Sequence, residues 1–354
     1  MRSIKYFITI ACCILQLFSA RSQSGGDNTY DFLNLTNSAR VASLGGQQIS
    51  IYDNDLNFTF HNPSLLNASM NSHLVLNYVN YFMDINYGYV SYARSRGTWG
   101  NVAAGIHYIS YGKFREVSEY NVKAGEFRAD DYALNLIYSR TILDSLFSVG
   151  VNMKPIFSDY ERYRSVGLAF DAGITYYNNE KLFSAALVVK NAGFQIKRYY
   201  KGHPREPLPF EIQLGITQKL KHAPFRFSVL AQHLETWDLR YKTEEELEES
   251  SSTTFGESDE ENKVDAFFDN VMRHIIFGIE FLPSDNFNIR LGYNYKRRQE
   301  LKIEDKLGMV GFSWGFGLRV NKFHISYGRA TYHVAGASNH FSISTNLSQL
   351  RKNL

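Results

Sequence analysis

Short segments in which apolar and polar residues alternate strictly recur along most of this chain. In one of them the apolar face consists of Phe147, Val149, Val151 and Met153. Alternation with a period of two predicts a strand that has one apolar and one polar face. Most of the segments are about ten residues long, the length that a tilted strand needs to cross a bilayer. The pattern therefore favours a β-barrel in a membrane.

The same pattern predicts the number of strands. About fourteen are expected, and an even number is typical of bacterial outer-membrane barrels. They are expected near residues 73–82, 85–94, 100–110, 130–140, 146–157, 166–177, 182–191, 209–219, 225–234, 272–282, 287–296, 308–319, 322–331 and 339–347. The fold class is then all-β, a transmembrane antiparallel outer-membrane β-barrel of about 14 strands with an N-terminal plug segment.

The predicted connections differ in length at the two ends of the barrel. Tight turns are expected near 143–145, 178–180, 283–286 and 321–322. Longer connections are expected at 111–129, 199–208, 235–270 and 297–307. Short periplasmic turns that alternate with long external loops are typical of outer-membrane barrels.

The N-terminus has the pattern of a targeting segment. Residues 1–22 contain a basic start and an apolar run from Tyr6 to Phe18, which predicts a signal peptide cleaved before Gln23. An alternative is a lipoprotein that is lipidated on Cys12 or Cys13. Both cysteines of the chain lie in this segment. The mature protein is therefore expected to have no disulfide, thiolate metal site or cysteine nucleophile.

Three further regions follow from composition. Residues 23–72 alternate poorly and are predicted to form a plug, and residues 73–354 form the barrel. Within the barrel, residues 235–270 form an acidic extracellular loop with thirteen acidic and three basic residues, a net charge of −10. Such a segment is typically solvated and mobile, and a calcium or partner site is the alternative.

The sequence contains no recognisable catalytic motif. No His-Glu-x-x-His pair and no Gly-x-Ser-x-Gly elbow occurs. The net charge is only +3 and no basic block is present, which argues against a nucleic-acid partner. We therefore expect neither an enzyme nor a bound cofactor or catalytic metal, and an outer-membrane hydrolase whose site assembles from residues distant in sequence is the alternative.

The polar faces of the predicted strands contain charges of both signs. Two interpretations remain open: the charged groups are solvated in the lumen, or they line a transport pathway. The residues are Lys154, Asp171, Glu211, Arg226, Glu280, Arg290 and Arg319.

Residues 38–66 resemble the N-terminal signature of the FadL and PorV group of outer-membrane proteins. The signature of the group has Ala-Arg before Met-Gly-Gly or Leu-Gly-Gly, then an acidic pair, and it ends in a sequence similar to Asn-Pro-Ala-Gly-Leu. In this chain Ser64-Leu65 replaces the Ala-Gly of that last part. The matching positions are Ala39, Arg40, Gly45, Gly46, Asp53, Asp55, Asn62 and Pro63. The resemblance implies a fourteen-stranded barrel with an N-terminal plug.

Within this group, residues 28–40 are most similar to the PorQ branch, which belongs to the type IX secretion system of the Bacteroidetes. That similarity implies an outer-membrane anchor for a surface protein of the attachment complex, with PorZ, PorU and PorV-like proteins as partners beside the lipid. The alternative is a FadL-type transporter of hydrophobic compounds, which would need an apolar pocket in the lumen and a side opening.

Two of the predicted external loops combine aromatic and charged residues and are candidates for partner binding. Tyrosine and arginine contribute strongly to interface energies, since they bury large areas and still make polar contacts. An aromatic girdle at the bilayer surface is the alternative explanation. The candidate residues are Phe114, Arg115, Tyr120, Phe127, Tyr199, Tyr200, His203 and Arg205.

Overall fold

The computed structural model describes residues 28–81, 85–117, 123–143, 146–240, 259–301, 309–333 and 336–351. Several predicted features lie outside these residues: the signal peptide, the first five residues of the plug segment, Tyr120, and residues 241–258 of the acidic loop.

The predicted fold class is confirmed: fourteen strands form one closed antiparallel barrel, in which β1 pairs with β14. The strands are β1 His73–Asn80, β2 Asn86–Ser95, β3 Asn101–Val117, β4 Lys123–Ile142, β5 Phe147–Tyr160, β6 Tyr163–Asn178, β7 Phe183–Lys197, β8 Glu211–Lys219, β9 Phe225–Ala231, β10 Ile275–Ser284, β11 Phe287–Asn294, β12 Phe312–Val320, β13 Phe323–His333 and β14 Gly336–Asn346.

The two faces of the barrel wall differ in polarity as alternation requires. Val151 and Leu291 point outward and are 52% and 55% exposed, whereas Lys154 and Arg290 point inward and are buried. Closure pairs the first strand with the last, and an apolar outer surface suits contact with lipid. The architecture is that of an outer-membrane protein, in which the turns at the periplasmic end are short and the longest connections lie at the external end.

The lumen is filled by residues 28–72, which we call the plug. The plug contains one α-helix, α1 Ala39–Ser43, and short 3-10 turns at Asp31–Asn34, Leu56–Phe60, Pro63–Leu65 and Ala68–Met70. It runs from the external end, where the Thr29 amide donates to the carbonyl of Pro207, to the periplasmic end, where it enters β1. Inward-facing glycines allow the plug to approach the barrel wall closely, because a Cβ at Gly150 would collide with the backbone of Pro63.

One predicted loop is wrong. Residues 111–129 were expected to form a long loop, yet β3 extends to Val117, β4 begins at Lys123, and the two strands pair so that Phe114 lies opposite Phe127. Residues 118–122 lie outside the described residues. Alternation weakens there because the hairpin stands clear of the neighbouring strands: β2 pairs with β3 only as far as Ser110. We call residues 111–117 and 123–128 the crown hairpin.

Helices occupy parts of the chain where strand or loop was expected. Residues Asp259–His274 form α2 in the acidic region, and Tyr295–Leu301 form α3, so the strand predicted to reach residue 296 ends at Asn294. The last helix is α4, Leu347–Arg351. None of the helices in the described ranges is long and apolar enough to cross a bilayer. The external connections are also of mixed length, because β5 and β6 are joined by only two residues, 161–162.

Candidate functional site

Six charged side chains join the plug to the barrel wall near the periplasmic end. They are Arg40, Asp53 and Asp55 of the plug with Arg226, Glu280 and Arg290 of the wall, and we call them the ion cluster. Since three are arginines and three are carboxylates, their formal charges balance. The short helix α1 places Arg40 at the centre of this group.

Arg40 is the residue that links the two parts of the ion cluster. Its Nε lies 2.8 Å from Oε1 of Glu280 on β10. Its two terminal nitrogens lie 2.8 Å from Asp53 Oδ2 and 3.1 Å from Asp55 Oδ2. Arg226 bridges the same carboxylates from β9, at 2.8 Å from Glu280 and 3.1 Å from Asp53. The plug is therefore held by hydrogen-bonded ion pairs with little exposure to solvent.

The acidic pair also shapes the plug backbone. The Asp55 carboxylate accepts a hydrogen bond from the amide of Asn57 and so caps the 3-10 turn that begins at Leu56. Asp53 accepts from the amide of Asp55 in the same way. Aspartate often has this role in turns, but nothing in the sequence indicates that both carboxylates also bind Arg40.

The remaining signature residues lie where the plug approaches the wall. The Ala39 amide donates to Ser342 Oγ at 2.9 Å. Gly45 and Gly46 have φ values of +100° and +99°, which favour glycine, and together they turn the chain after α1. Asn62 donates to Thr175 at 3.0 Å on β6, and Pro63 packs on Gly150.

A second buried polar group lies on the lumen side of β5, β6 and β7. Lys154 Nζ is 2.6 Å from Asp171 Oδ2 and donates to Asn191 Oδ1 at 2.9 Å. Asn191 in turn donates to Asn34 of the plug at 2.9 Å. For this pair the interpretation as solvated lumen groups is wrong, since both side chains are buried. Arg319, by contrast, lies exposed at the periplasmic end of β12.

A cavity of about 430 Å³ opens at the external end. We call it the tyrosine cup, because six tyrosines line it together with Asn28, Thr29, Asp31 and Glu206. The tyrosines are Tyr30, Tyr111, Tyr160, Tyr163, Tyr199 and Tyr200. They come from the plug, from β3, β5 and β6, and from the connection after β7, so the cup exists only when the plug is in place.

Hydrogen bonds to the wall hold four of the cup hydroxyls. Tyr111 and Tyr160 both donate to Oδ2 of the buried Asp131, at 2.8 Å and 2.7 Å. Tyr199 donates to Ser158 at 2.6 Å, and the Tyr30 hydroxyl bonds to Ser165. Burial raises the pKa of the Tyr199 hydroxyl, which keeps it in its neutral, donating form. The rings are therefore fixed, and they also pack on one another, as where Tyr160 stacks on Tyr199 with 5.4 Å between ring centroids.

A smaller cavity of about 250 Å³ lies between the plug and the connection that contains α3. Most of the residues that line it have polar side chains, among them Asn34, Gln47, His233 and Arg297. Among the described residues, no cluster of histidine, cysteine or acidic side chains has an arrangement that would hold a metal ion.

The candidate partner residues fall into two groups on the external surface. Phe114 and Phe127 stack at 5.2 Å on the crown hairpin, where Arg115 is also exposed. The others lie in the connection after β7: Tyr199 lines the cup, Tyr200 packs against His203 at 5.4 Å, and Arg205 covers the Phe194 ring. The sequence did not single out Tyr30, Tyr111, Tyr160 or Tyr163, whose only signal was the high tyrosine content of the segments around them.

The wall beside the cup is incomplete. β8 begins at Glu211 opposite Lys190, so residues 191–197 of β7 have strand β6 on one side and, within the described part of the chain, no strand on the other. The returning segment 204–209 contains three prolines, which cannot donate backbone hydrogen bonds to a ladder. It is attached through side chains, such as Gln195, which accepts from the Glu206 amide at 3.0 Å.

Comparison with known proteins gave structural neighbours only. No family model matches the chain, and no curated protein matches it. It is similar to the Ralstonia pickettii toluene transporter TbuX, at 10% identity and a TM-score of 0.49 over 88% of this chain and 99% of that one. For the P. putida toluene transporter TodX the sequence identity is 12% and the TM-score is 0.47, over 89% of this chain and 99% of that one. For a Pseudomonas aeruginosa FadL homologue the sequence identity is 12% and the TM-score is 0.48, over 88% of this chain and 98% of that one.

Proposed function

We propose that this outer-membrane barrel works at its external face, where it holds a surface protein of a type IX secretion system. The secretion assignment rests on the resemblance of residues 38–66 to the FadL and PorV group and of residues 28–40 to its PorQ branch. PorZ-like, PorU-like and PorV-like proteins are the expected partners. The geometry also favours the external surface as the working face, because the ion cluster holds the plug across the lumen and the interior is occupied.

The crown hairpin is the observation that supports this proposal most strongly. β4 is 20 residues long, whereas about ten residues of tilted strand are enough to cross the bilayer. The additional residues raise the stacked Phe114 and Phe127 above the neighbouring strands. Phe114 is 42% exposed at this height. An aromatic pair outside the lipid contributes nothing to membrane anchoring, but it provides apolar area for a protein interface.

The connection after β7 provides a second contact surface. Tyr200 is 49% exposed and is flanked by His203 and by Tyr163, at 4.6 Å between rings. The acidic loop plays a different part in the proposal. Its net charge would attract a basic partner over a distance, and that attraction would weaken with salt.

The test is recovery of partners from native membranes by pull-down and mass spectrometry. We expect the double substitution Phe114→Ser and Phe127→Ser, combined with Gly-Ser sequence in place of residues 199–208, to abolish recovery of the surface protein. The matched control is Trp99→Ser, since Trp99 is 81% exposed at the periplasmic end. Undiminished recovery with both external surfaces replaced would contradict the proposal.

A transporter of hydrophobic compounds is the second candidate function. The tyrosine cup lies above a buried apolar cluster that includes Phe32, Ile109 and Ile156. The unpaired side of β7 lies beside the cup and offers a place where the wall could open to lipid. Long-chain fatty acid uptake by this protein in a carrier-deficient strain, lost when Tyr199 is replaced by alanine, would favour this candidate over the first.

A further inference from the structure

The tyrosine cup combines aromatic rings with negative charge. Asp31 and Glu206 belong to its lining, and both are exposed where the cup opens. Behind the lining, the buried Asp131 accepts hydrogen bonds from two of the tyrosines. None of the described residues that line the cup is lysine, arginine or histidine. The charged residues of the lining are therefore both acidic.

The basic residues of the neighbouring connection do not neutralise this charge from within the cup. Arg198 donates to the carbonyl of His203, in its own connection. Arg205 lies 5.9 Å from the centre of the Phe194 ring, on the outward side of β7. An anionic ligand in the cup would thus meet two carboxylates and no basic side chain of the lining, which disfavours it electrostatically.

The rings themselves favour a cation. The face of a tyrosine ring is electron-rich and attracts an ammonium group placed over it. Donation of the Tyr111 and Tyr160 hydroxyls to Asp131 polarises these phenols further in the same direction. A neutral apolar ligand would gain only ring contact and would also remove water from Asp31 and Glu206, which costs free energy without a new partner.

We infer that the tyrosine cup is a binding site for a small organic cation with an apolar body, such as a quaternary ammonium compound. The aromatic lining takes the apolar part, and Asp31 and Glu206 balance the charge. The volume of about 430 Å³ falls within the range of small-molecule sites. The cup would bind such a ligand whether or not the crown hairpin holds a protein.

The test uses two probes of the same shape that differ in charge. Benzyltrimethylammonium and neopentylbenzene are titrated into the full-length protein in lipid nanodiscs, with empty nanodiscs as the blank, and binding is followed by tyrosine fluorescence and calorimetry. We expect saturable binding of the cation that is at least about tenfold tighter than that of the neutral compound. Equal or tighter binding of neopentylbenzene would overturn the inference, as would the absence of saturable binding of the cation.

Three variants locate the site and distinguish the contribution of the aromatic ring from that of the carboxylates. The double substitution Asp31→Asn and Glu206→Gln should weaken cation binding by roughly tenfold and leave the neutral probe unchanged. Tyr199→Leu should also weaken it, whereas Tyr199→Phe, which keeps the ring, should restore most of it. Asp285→Asn at the periplasmic end is the matched control. Heat-modifiable mobility on gels verifies that each variant is folded, and unchanged cation affinity in the folded double variant would also reject the inference.

Discussion

Arg40 of the plug and Glu280 of the barrel wall form a buried ion pair with an Nε–Oε1 distance of 2.8 Å. The two residues are 240 positions apart in the chain. Their contact is the point at which an N-terminal segment with little regular structure becomes part of the barrel interior. Substitutions in the ion cluster therefore test whether these ion pairs keep the plug in the lumen.

Removal of Arg40 should destabilise the protein strongly. Arg40→Met leaves Glu280, Asp53 and Asp55 without their shared partner, and breaking a buried pair in this way costs about 3 to 5 kcal/mol. The control is Arg164→Met, whose ion pair with Asp159 is exposed on both sides and should contribute at most about 1 kcal/mol. Urea unfolding in detergent micelles measures both, and equal costs would show that the ion cluster does not fasten the plug.

Deletion of the plug should open the lumen. A variant that lacks residues 28–67 should show a clear rise in conductance in planar bilayers, because the plug occupies the interior of the described barrel. The folded Phe114→Ser, Phe127→Ser variant keeps the plug and should remain closed. If the deletion variant inserts and conducts no better, another part of the chain closes the pore.

The outward face of β11 should not tolerate a charge. Leu291 is 55% exposed in the middle of that strand, so Leu291→Arg places a guanidinium in hydrocarbon at a cost of about 2 to 4 kcal/mol. Met309→Arg is the matched control, since Met309 is 63% exposed in an external connection and its substitution should change stability by no more than about 0.5 kcal/mol. Refolding equilibria in lipid vesicles distinguish the two. A Leu291→Arg variant as stable as the control would place that face out of contact with lipid.

The packing of α2 against α3 should weaken in acid. Partial burial raises the pKa of Asp269, but hydrogen bonds from Tyr295 and Arg273 outweigh this and hold it below its usual value. The stabilisation is therefore complete above the unfolded-state pKa of about 4 and is lost as the pH falls through the lower folded-state pKa. Hydrogen exchange of residues 265–274 should accelerate over that range. Asp269→Asn should remove the dependence, and a variant that keeps it would assign the effect to another group.

Much of the barrel could be predicted from sequence because a strand shows its two faces in consecutive residues. Lys154 and Arg290 were expected on the inner face and lie there, since alternation is a local property of the chain. The same local rule failed at residues 111–129. There the crown hairpin has no neighbouring strands and no lipid on its outer side, so nothing selects a strict apolar face.

The pairing of the charged groups could not be predicted in the same way. Alternation assigns Arg226, Glu280 and Arg290 to the lumen, but it does not say that Arg40 and Asp53 meet them there. The tyrosine cup is a still clearer case, since Tyr30, Tyr111, Tyr160 and Tyr199 come from four separate parts of the chain. Periodicity of side chains is fixed by backbone geometry and is therefore written in the sequence. Which side chains meet across the lumen depends on barrel closure and on the path of the plug, and only the tertiary structure decides these.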